Sequence, residues 1–242
     1  MRSRLVGDTE FGVPFPGRKV PRDAWTKTGL RDPEAAFDWE AVFGRDAARV
    51  VDLGCGNGRY LIGSALDRPE FLHVGIDVVQ VVIDHAAQRA NRRGVTNARF
   101  VVGDAAKWLF ERFQEDSLDE VHVYHPQPYY EPGQAGQRLI TPEFLERTWT
   151  VTRPGGLLVV QTDNKAYWKY LQSAVAKHFE PVEVKGPWPD APRGRTSREI
   201  QARQKGLMVW RVQARRRDVP LSIAIGAPDF DANRPRFRRR GK

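Results

Sequence analysis

The chain has 242 residues, 39 Lys and Arg against 30 Asp and Glu, and a net charge of +9. No apolar run approaches the roughly 20 residues of a membrane span, and Met1 to Lys19 is polar and rich in Gly and Pro, unlike a signal peptide. Cys55 is the single cysteine and the five histidines are scattered, which excludes an internal disulfide and argues against a grouped metal site. The expectation is a cytoplasmic protein of one globular domain, with no membrane and no metal; monomer and homodimer both stay open. The charge is uneven. Residues 1–33 carry seven basic residues against four acids, residues 34–184 sixteen against twenty-one, and residues 185–242 sixteen against five. A polyanionic partner explains a strongly basic last quarter, and a solvated tail that aids solubility is the plainer alternative.

Residues 1–33 are expected as an extended basic arm. Asp32-Pro33-Glu34 offers an N-cap with Pro at N1, so a helix is expected over Ala35 to Phe43 before Gly44 stops it. Strand and helix then alternate: strands at 49–53, 71–76, 98–102 and 119–124, with helices at 59–67, 79–92 and 104–112 between them. Thr141-Pro142-Glu143 opens a helix to 151, and Arg153-Pro154-Gly155-Gly156 turns the chain into a strand over 157–161. A helix at 164–178, a strand at 180–184, a Pro/Gly/Arg-rich loop at 186–195, a helix at 196–204 and a strand at 207–214 close the domain, placed at 34–217. Residues 218–242 are expected to be a disordered basic tail. This alternation predicts an α/β fold, a Rossmann-like, mostly parallel seven-stranded sheet with helices on both faces.

Val50 to Gly58, VVDLGCGNG, is the most informative segment. A buried strand ending in a glycine turn before a helix gathers backbone N–H groups and a helix N-terminus at one point, ready for a ligand. A dinucleotide fingerprint needs its third glycine at 59, where Arg59 stands. Glycines at 54, 56 and 58 resemble the turn of S-adenosylmethionine-dependent methyltransferases instead. Asp77 closes the next strand, where a carboxylate can accept both ribose hydroxyls of a nucleoside cofactor. Asp104 closes the strand after that, where adenine would lie. A nucleotide fold with another ligand is the competing reading of this pattern.

Ligands of open α/β sheets bind beyond the carboxyl ends of the strands. There the fourth strand runs into His125-Pro126-Gln127-Pro128-Tyr129-Tyr130, a stiff turn with aromatics on which a planar base could stack. Ordinary half-buried loop tyrosines are the alternative. The fifth strand ends in Gln161-Thr162-Asp163, where Asp163 could cap the next helix and face the site.

Together these segments resemble the tRNA (guanine-N7)-methyltransferase family from Phe37-Asp38-Trp39-Glu40 through Arg216. The ordered matches are VVDLGCGNG, GID at 75–77, GDA at 103–105, RLITPEFL at 138–145, RPGG at 153–156, QTD at 161–163 and TSRE at 196–199. HPQPYY stands where the family has P-D-P-W. The resemblance implies S-adenosylmethionine as cofactor and tRNA as partner, with a guanosine of the variable loop methylated at N7. It places Asp52, Asp77 and Asp104 on the cofactor together with Gly54, Gly56, Gly58 and Gln127. Tyr129, Asp163, Thr196 and Glu199 fall on the guanosine. S/T-x-x-E is also a capping box, so capping alone is a competing role for Thr196 and Glu199.

Two departures matter. The family's active-site aspartate is Gln127 here, which leaves Gln127 as the catalytic candidate without a negative charge. The basic stretch that follows the family motif is Tyr130-Glu131-Pro132-Gly133-Gln134-Ala135-Gly136-Gln137, with only Arg138 remaining. N7 offers a ring lone pair, so no base is needed and alignment and field dominate. A methyltransferase of base amines and a non-catalytic cofactor- and RNA-binding module remain alternative readings.

Overall fold

The computed structural model describes residues 8–129 and 132–226. The chain begins with a small hairpin, β1 (Thr9–Glu10) and β2 (Val13–Pro14), then β3 (Gly29–Leu30) and the short helix α1 (Trp39–Phe43). Three strand–helix units follow: β4 (Arg49–Leu53) with α2 (Arg59–Asp67), β5 (Leu72–Asp77) with α3 (Gln80–Asn91), and β6 (Ala98–Val102) with α4 (Ala105–Glu111). Next come β7 (Leu118–Tyr124), α5 (Pro142–Val151), β8 (Thr152–Thr162), α6 (Lys165–His178), β9 (Phe179–Glu183), α7 (Ser197–Gln204) and β10 (Trp210–Arg216). The main sheet runs β3-β6-β5-β4-β7-β8-β10-β9. Its first six strands pair in parallel, and β10 is antiparallel to both neighbours.

The expected sheet thus gains an eighth strand, because Gly29–Leu30 of the N-terminal arm pairs with β6. Thr28 anchors it, its N–H donating to Asn91 Oδ1 at 2.8 Å and its hydroxyl lying 3.1 Å from Ala87 O and 2.8 Å from the same Asn91 oxygen. The expected helix start at Asp32 is replaced by Asp38, whose carboxylate accepts Ala41 N–H at 3.0 Å. Phe37 is the reason: it packs against Trp39, Trp108 and Phe113, and its N–H donates to Arg112 O at 2.8 Å, so residues 34–36 form bends and the helix starts only after Asp38. The expected turn at Arg153–Gly156 lies inside β8, where Gly155 has φ of +76° and the pairing with β7 shifts register. Gly156 must be bare, since a Cβ would stand 2.8 Å from Asp119 O.

β4 and β5 are covered on both faces and therefore read as continuous apolar runs with residues such as Val50, Val51, Leu72 and Val74 fully buried. The larger apolar cluster lies on the face covered by α4, α5 and α6, and a smaller one on the face covered by α2 and α3. Among the described residues, no helix is long and apolar enough to cross a membrane. Of the expected basic tail, residues 227–242 lie outside the described residues.

Candidate active site

The three glycines of the turn are not equivalent. Gly54, Gly56 and Gly58 all have positive φ, +83°, +52° and +74°, a region that costs an L-residue roughly 1–2 kcal/mol. At Gly54 and Gly56 no atom lies within 4 Å of where a Cβ would stand, so bare backbone faces open space. At Gly58 a Cβ would stand 2.9 Å from the Phe100 ring and 3.0 Å from Ala86. The first two glycines leave room for a ligand, and the third lets α2 pack closely on its neighbours.

Asp77 organises this turn. Its carboxylate accepts Gly56 N–H and Val79 N–H, each at 3.0 Å. Each oxygen keeps a further lone pair for a ligand hydroxyl. Asp52 sits beneath the turn, 1% exposed, and its Oδ1 has no hydrogen-bond partner. Burial, and after it the neighbouring charge of Asp77, raises the Asp52 carboxyl well above the usual carboxylate range. An orphaned acceptor under an open glycine turn fits a nucleoside cofactor that brings hydrogen-bond donors.

A cleft of about 710 Å³ opens beyond the carboxyl ends of β4, β5, β6 and β7. It brings together Gly54, Asp77, Asp104, Gln127 and Tyr129 from the expected set. Asp104 also caps α4, accepting Lys107 N–H at 2.8 Å. Asp52, Gly56, Gly58, Asp163, Thr196 and Glu199 are not among the residues that line the cleft. Among the described residues no three His, Cys, Asp or Glu side chains are grouped as a metal site.

The far wall is the turn after β7. His125 and Tyr129 both adopt left-handed conformations, φ +52° and +45°, which cost roughly 1–3 kcal/mol each outside glycine. The surroundings hold them there. His125 N–H donates to Gln161 O at 2.7 Å, and the Arg138 side chain donates to Pro128 O and Tyr129 O. Gln127 is exposed into the cleft, and its carbonyl accepts the Tyr167 hydroxyl at 3.2 Å.

His125 had no assigned role in the sequence, and neither had Gln161, Trp188 or Arg198; the structure joins all four to Asp163. The indole N–H of Trp188 can only donate, so the Gln161 oxygen faces it. The Gln161 amide nitrogen then faces His125 Nε2 at 2.8 Å, which must accept. The proton therefore sits on Nδ1 and is donated to Asp163 Oδ1 at 3.1 Å. Arg198 takes the other oxygen, with Nε and Nη2 at 3.0 and 2.9 Å. Burial tends to raise the Asp163 carboxyl, but the His125 hydrogen bond and the Arg198 charge outweigh it and hold it at about 2. The expected cap role of Asp163 belongs instead to Asn164, which accepts Tyr167 N–H at 3.0 Å.

The TSRE segment forms its box with a correction. Thr196 caps α7, accepting Glu199 N–H at 3.1 Å. Glu199 is fully buried, its carboxylate accepting Arg195 N–H at 2.8 Å and pairing with Arg211. In this arrangement Glu199 fixes the loop before α7 and offers no exposed oxygen to a guanosine. The exposed member of the motif is Arg198, whose side chain is 64% accessible.

Over residues 46–212 the sequence matches the family described as "Putative methyltransferase". The tRNA (guanine-N(7)-)-methyltransferase of Nitrosococcus oceani is 28% identical over 199 residues, covering 82% of this chain and 84% of that protein. That of Streptomyces avermitilis is 33% identical over 209 residues, covering 82% and 72%. Among solved structures, the 16S rRNA methyltransferase KamB superposes with a TM-score of 0.54 at 17% identity, covering 78% of this chain and 98% of that one. The antibiotic-resistance methyltransferase Kmr gives 0.50 at 20% identity, covering 79% and 98%. At these identities the structural likeness is one of fold. The family match over residues 46–212 makes this a methyltransferase, built on a Rossmann-like sheet. The chain belongs to the tRNA (guanine-N7)-methyltransferase family.

Proposed function

We propose that this protein methylates N7 of a guanosine in tRNA, at the variable-loop position the family resemblance implies, with S-adenosylmethionine as methyl donor. One observation carries the reading. A single cleft joins the open glycine turn and Asp77 on one wall to the strained Gln127–Tyr129 turn on the other. Gly54 and Gly56 present bare backbone, Asp77 and Asp104 present carboxylates suited to ribose and adenine, and Asp52 offers an unpartnered acceptor beneath. When bound, the cofactor supplies an electrophilic methyl group on a sulfonium.

Guanine N7 is already a nucleophile, so no residue has to remove a proton from it. The N7 lone pair forms the new N–C bond while the electrons of the breaking C–S bond go to sulfur, and the purine acquires a positive charge. The chain's work is to align the base and favour that charge. Tyr129 offers a ring face for the base, worth roughly 1–3 kcal/mol per stacked base. Gln127 offers an amide to a guanine edge. Asp163, kept ionised by its partners, supplies negative field behind the turn. Arg198 is the exposed cation placed to trade Asp163 for an RNA phosphate.

The neutral amide at Gln127 supports the second reading, a cofactor- and RNA-binding module without turnover. Mapping borohydride-sensitive N7-methylguanosine in tRNA from cells with and without the gene separates the two. Loss of the modification with the gene supports the enzyme, and its persistence supports the module.

A further inference from the structure

Glu10, in the N-terminal hairpin, is the point at which the cofactor turn and the TSRE helix meet. Its side chain is 10% exposed. Oε1 accepts the Asn57 side-chain amide at 2.8 Å and pairs with Arg89. Oε2 accepts the Ser197 hydroxyl at 2.6 Å and faces Arg59 at 3.5 Å. Asn57 also donates to Ser197 Oγ, at 3.0 Å. Asn57 lies between Gly56 and Gly58, and Ser197 opens α7 directly after its cap Thr196. One carboxylate thus binds the glycine turn, the first residue of α2, the last turn of α3 and the first residue of α7.

The hairpin has its own anchors. Phe15 is buried beneath the guanidinium groups of Arg59, Arg89 and Arg93. Arg59 donates to Pro14 O at 2.6 Å and Arg93 to Pro16 O at 2.7 Å. Gln204, at the far end of α7, donates to Phe11 O at 2.6 Å. The hairpin is thus anchored at several points besides Asn57 and Ser197. A buried carboxylate shared by two loops responds to movement of either, because any partner that withdraws leaves it short of a donor.

Building on the proposed function, we propose that Glu10 is a positioning residue that couples the two half-sites, so that cofactor on the glycine turn and tRNA at α7 each tighten the binding of the other. Coupling of this kind is reciprocal and usually lies between about 5- and 150-fold. Gln in place of Glu10 keeps the shape, removes the charge and turns an amide toward one pair of donors. Ala in place of Ser197 removes the hydroxyl's bonds to Glu10 and Asn57 and leaves the Gln204–Phe11 bond between α7 and the hairpin in place.

The test uses the full-length protein. Calorimetry gives the Kd of S-adenosylhomocysteine with and without a saturating unmodified tRNA transcript, for wild type, Glu10→Gln and Ser197→Ala, alongside thermal melts. The expected wild-type ratio is at least about fivefold, falling to within about twofold of unity in both variants. A merely structural role would lower melting temperatures and leave the ratio intact. If Glu10→Gln does not fold, Ser197→Ala decides alone. A wild type that methylates tRNA but shows a ratio near unity overturns the coupling, as does a wild-type ratio kept by Ser197→Ala. A wild type that neither binds nor methylates tRNA overturns the proposed function and the coupling together.

Discussion

His125 donates its Nδ1 proton to Asp163 at 3.1 Å, and it does so because Trp188, through Gln161, leaves the ring only one neutral tautomer. The tryptophan lies in the Pro-rich loop before α7, and Arg195 of the same loop lies 3.8 Å from its ring centroid. The loop that precedes the TSRE motif therefore sets the orientation of the turn that lines the cleft. Asp163 receives His125 on one oxygen and Arg198 on the other, from opposite sides.

This arrangement has an acid limb with a definite sign. The Asp163 carboxyl is depressed in the folded protein, from 3.8 to about 2. Its contribution to stability is complete above pH 3.8 and is lost as pH falls toward 2. Asp163→Asn should lower the melting temperature at neutral pH, and the gap to wild type should close between those values. Losing one charge-assisted hydrogen bond costs about 1.5–3 kcal/mol. A gap that stays constant from pH 6 to pH 2.5 would show that Asp163 is not held by these partners.

Asp52 predicts the opposite slope. Burial and the Asp77 charge raise its folded-state pKa, so its ionised form is disfavoured and the stability it contributes is complete only below pH 3.8. Asp52→Asn should melt higher than wild type at pH 7, by roughly 2–4 °C for each kcal/mol relieved. The difference should shrink toward pH 4. Cofactor affinity should fall in the same variant, because the amide keeps one acceptor oxygen but replaces the other with a donor and removes the charge that would meet the cofactor's donors. Equal melting temperatures at pH 7 would mean that Asp52 is solvated or paired in solution.

The glycines separate packing from binding. Gly58→Ala combines a left-handed backbone with contact on Phe100 and Ala86, and overpacking of this kind costs about 1–3 kcal/mol beyond the backbone term. Gly54→Ala carries only the backbone cost and points its methyl into the cleft. Thermal melts should rank Gly58→Ala as the less stable protein. Calorimetry with S-adenosylhomocysteine should rank Gly54→Ala as the weaker binder relative to its folded fraction. The reverse order in both would place the cofactor elsewhere.

Gln127→Asp restores the charge found in the family motif. A carboxylate beside the purine favours the developing positive charge more than an amide does. Turnover on tRNA should rise, and a tenfold gain requires only about 1.4 kcal/mol. Steady-state assays with S-adenosylmethionine saturating give the comparison. A fall in turnover would mean that Gln127 reads a group its amide alone can hold.

Most of the sheet was legible in the sequence because its strands are buried on both faces and its helices carry strong caps. Thr141 and Thr196 cap the helices expected of them, and Asp104 caps α4, a role its sequence position had not suggested. Misreadings arose where tertiary contacts overrode local chemistry. Phe37, drawn into an aromatic cluster, moved the start of α1, and a two-residue strand at Gly29 is too short to show a period. The cleft wall formed by Gly54, Asp77, Asp104, Gln127 and Tyr129 followed from strand ends alone. The relay from Trp188 to Asp163 and the Glu10 node join residues far apart in the chain, and side chains of this kind give no periodic signal. Glu199 shows the limit of a motif: the spacing located α7, but burial decided which member is exposed.

The most direct measurement is methyl transfer by the purified protein from radiolabelled S-adenosylmethionine to unmodified tRNA, followed by nucleoside identification of the product. A wild-type product of N7-methylguanosine, lost when Asp77 is replaced by Ala, is the predicted result. A different methylated nucleoside, or no label on tRNA with either wild type or Gln127→Asp, would contradict it.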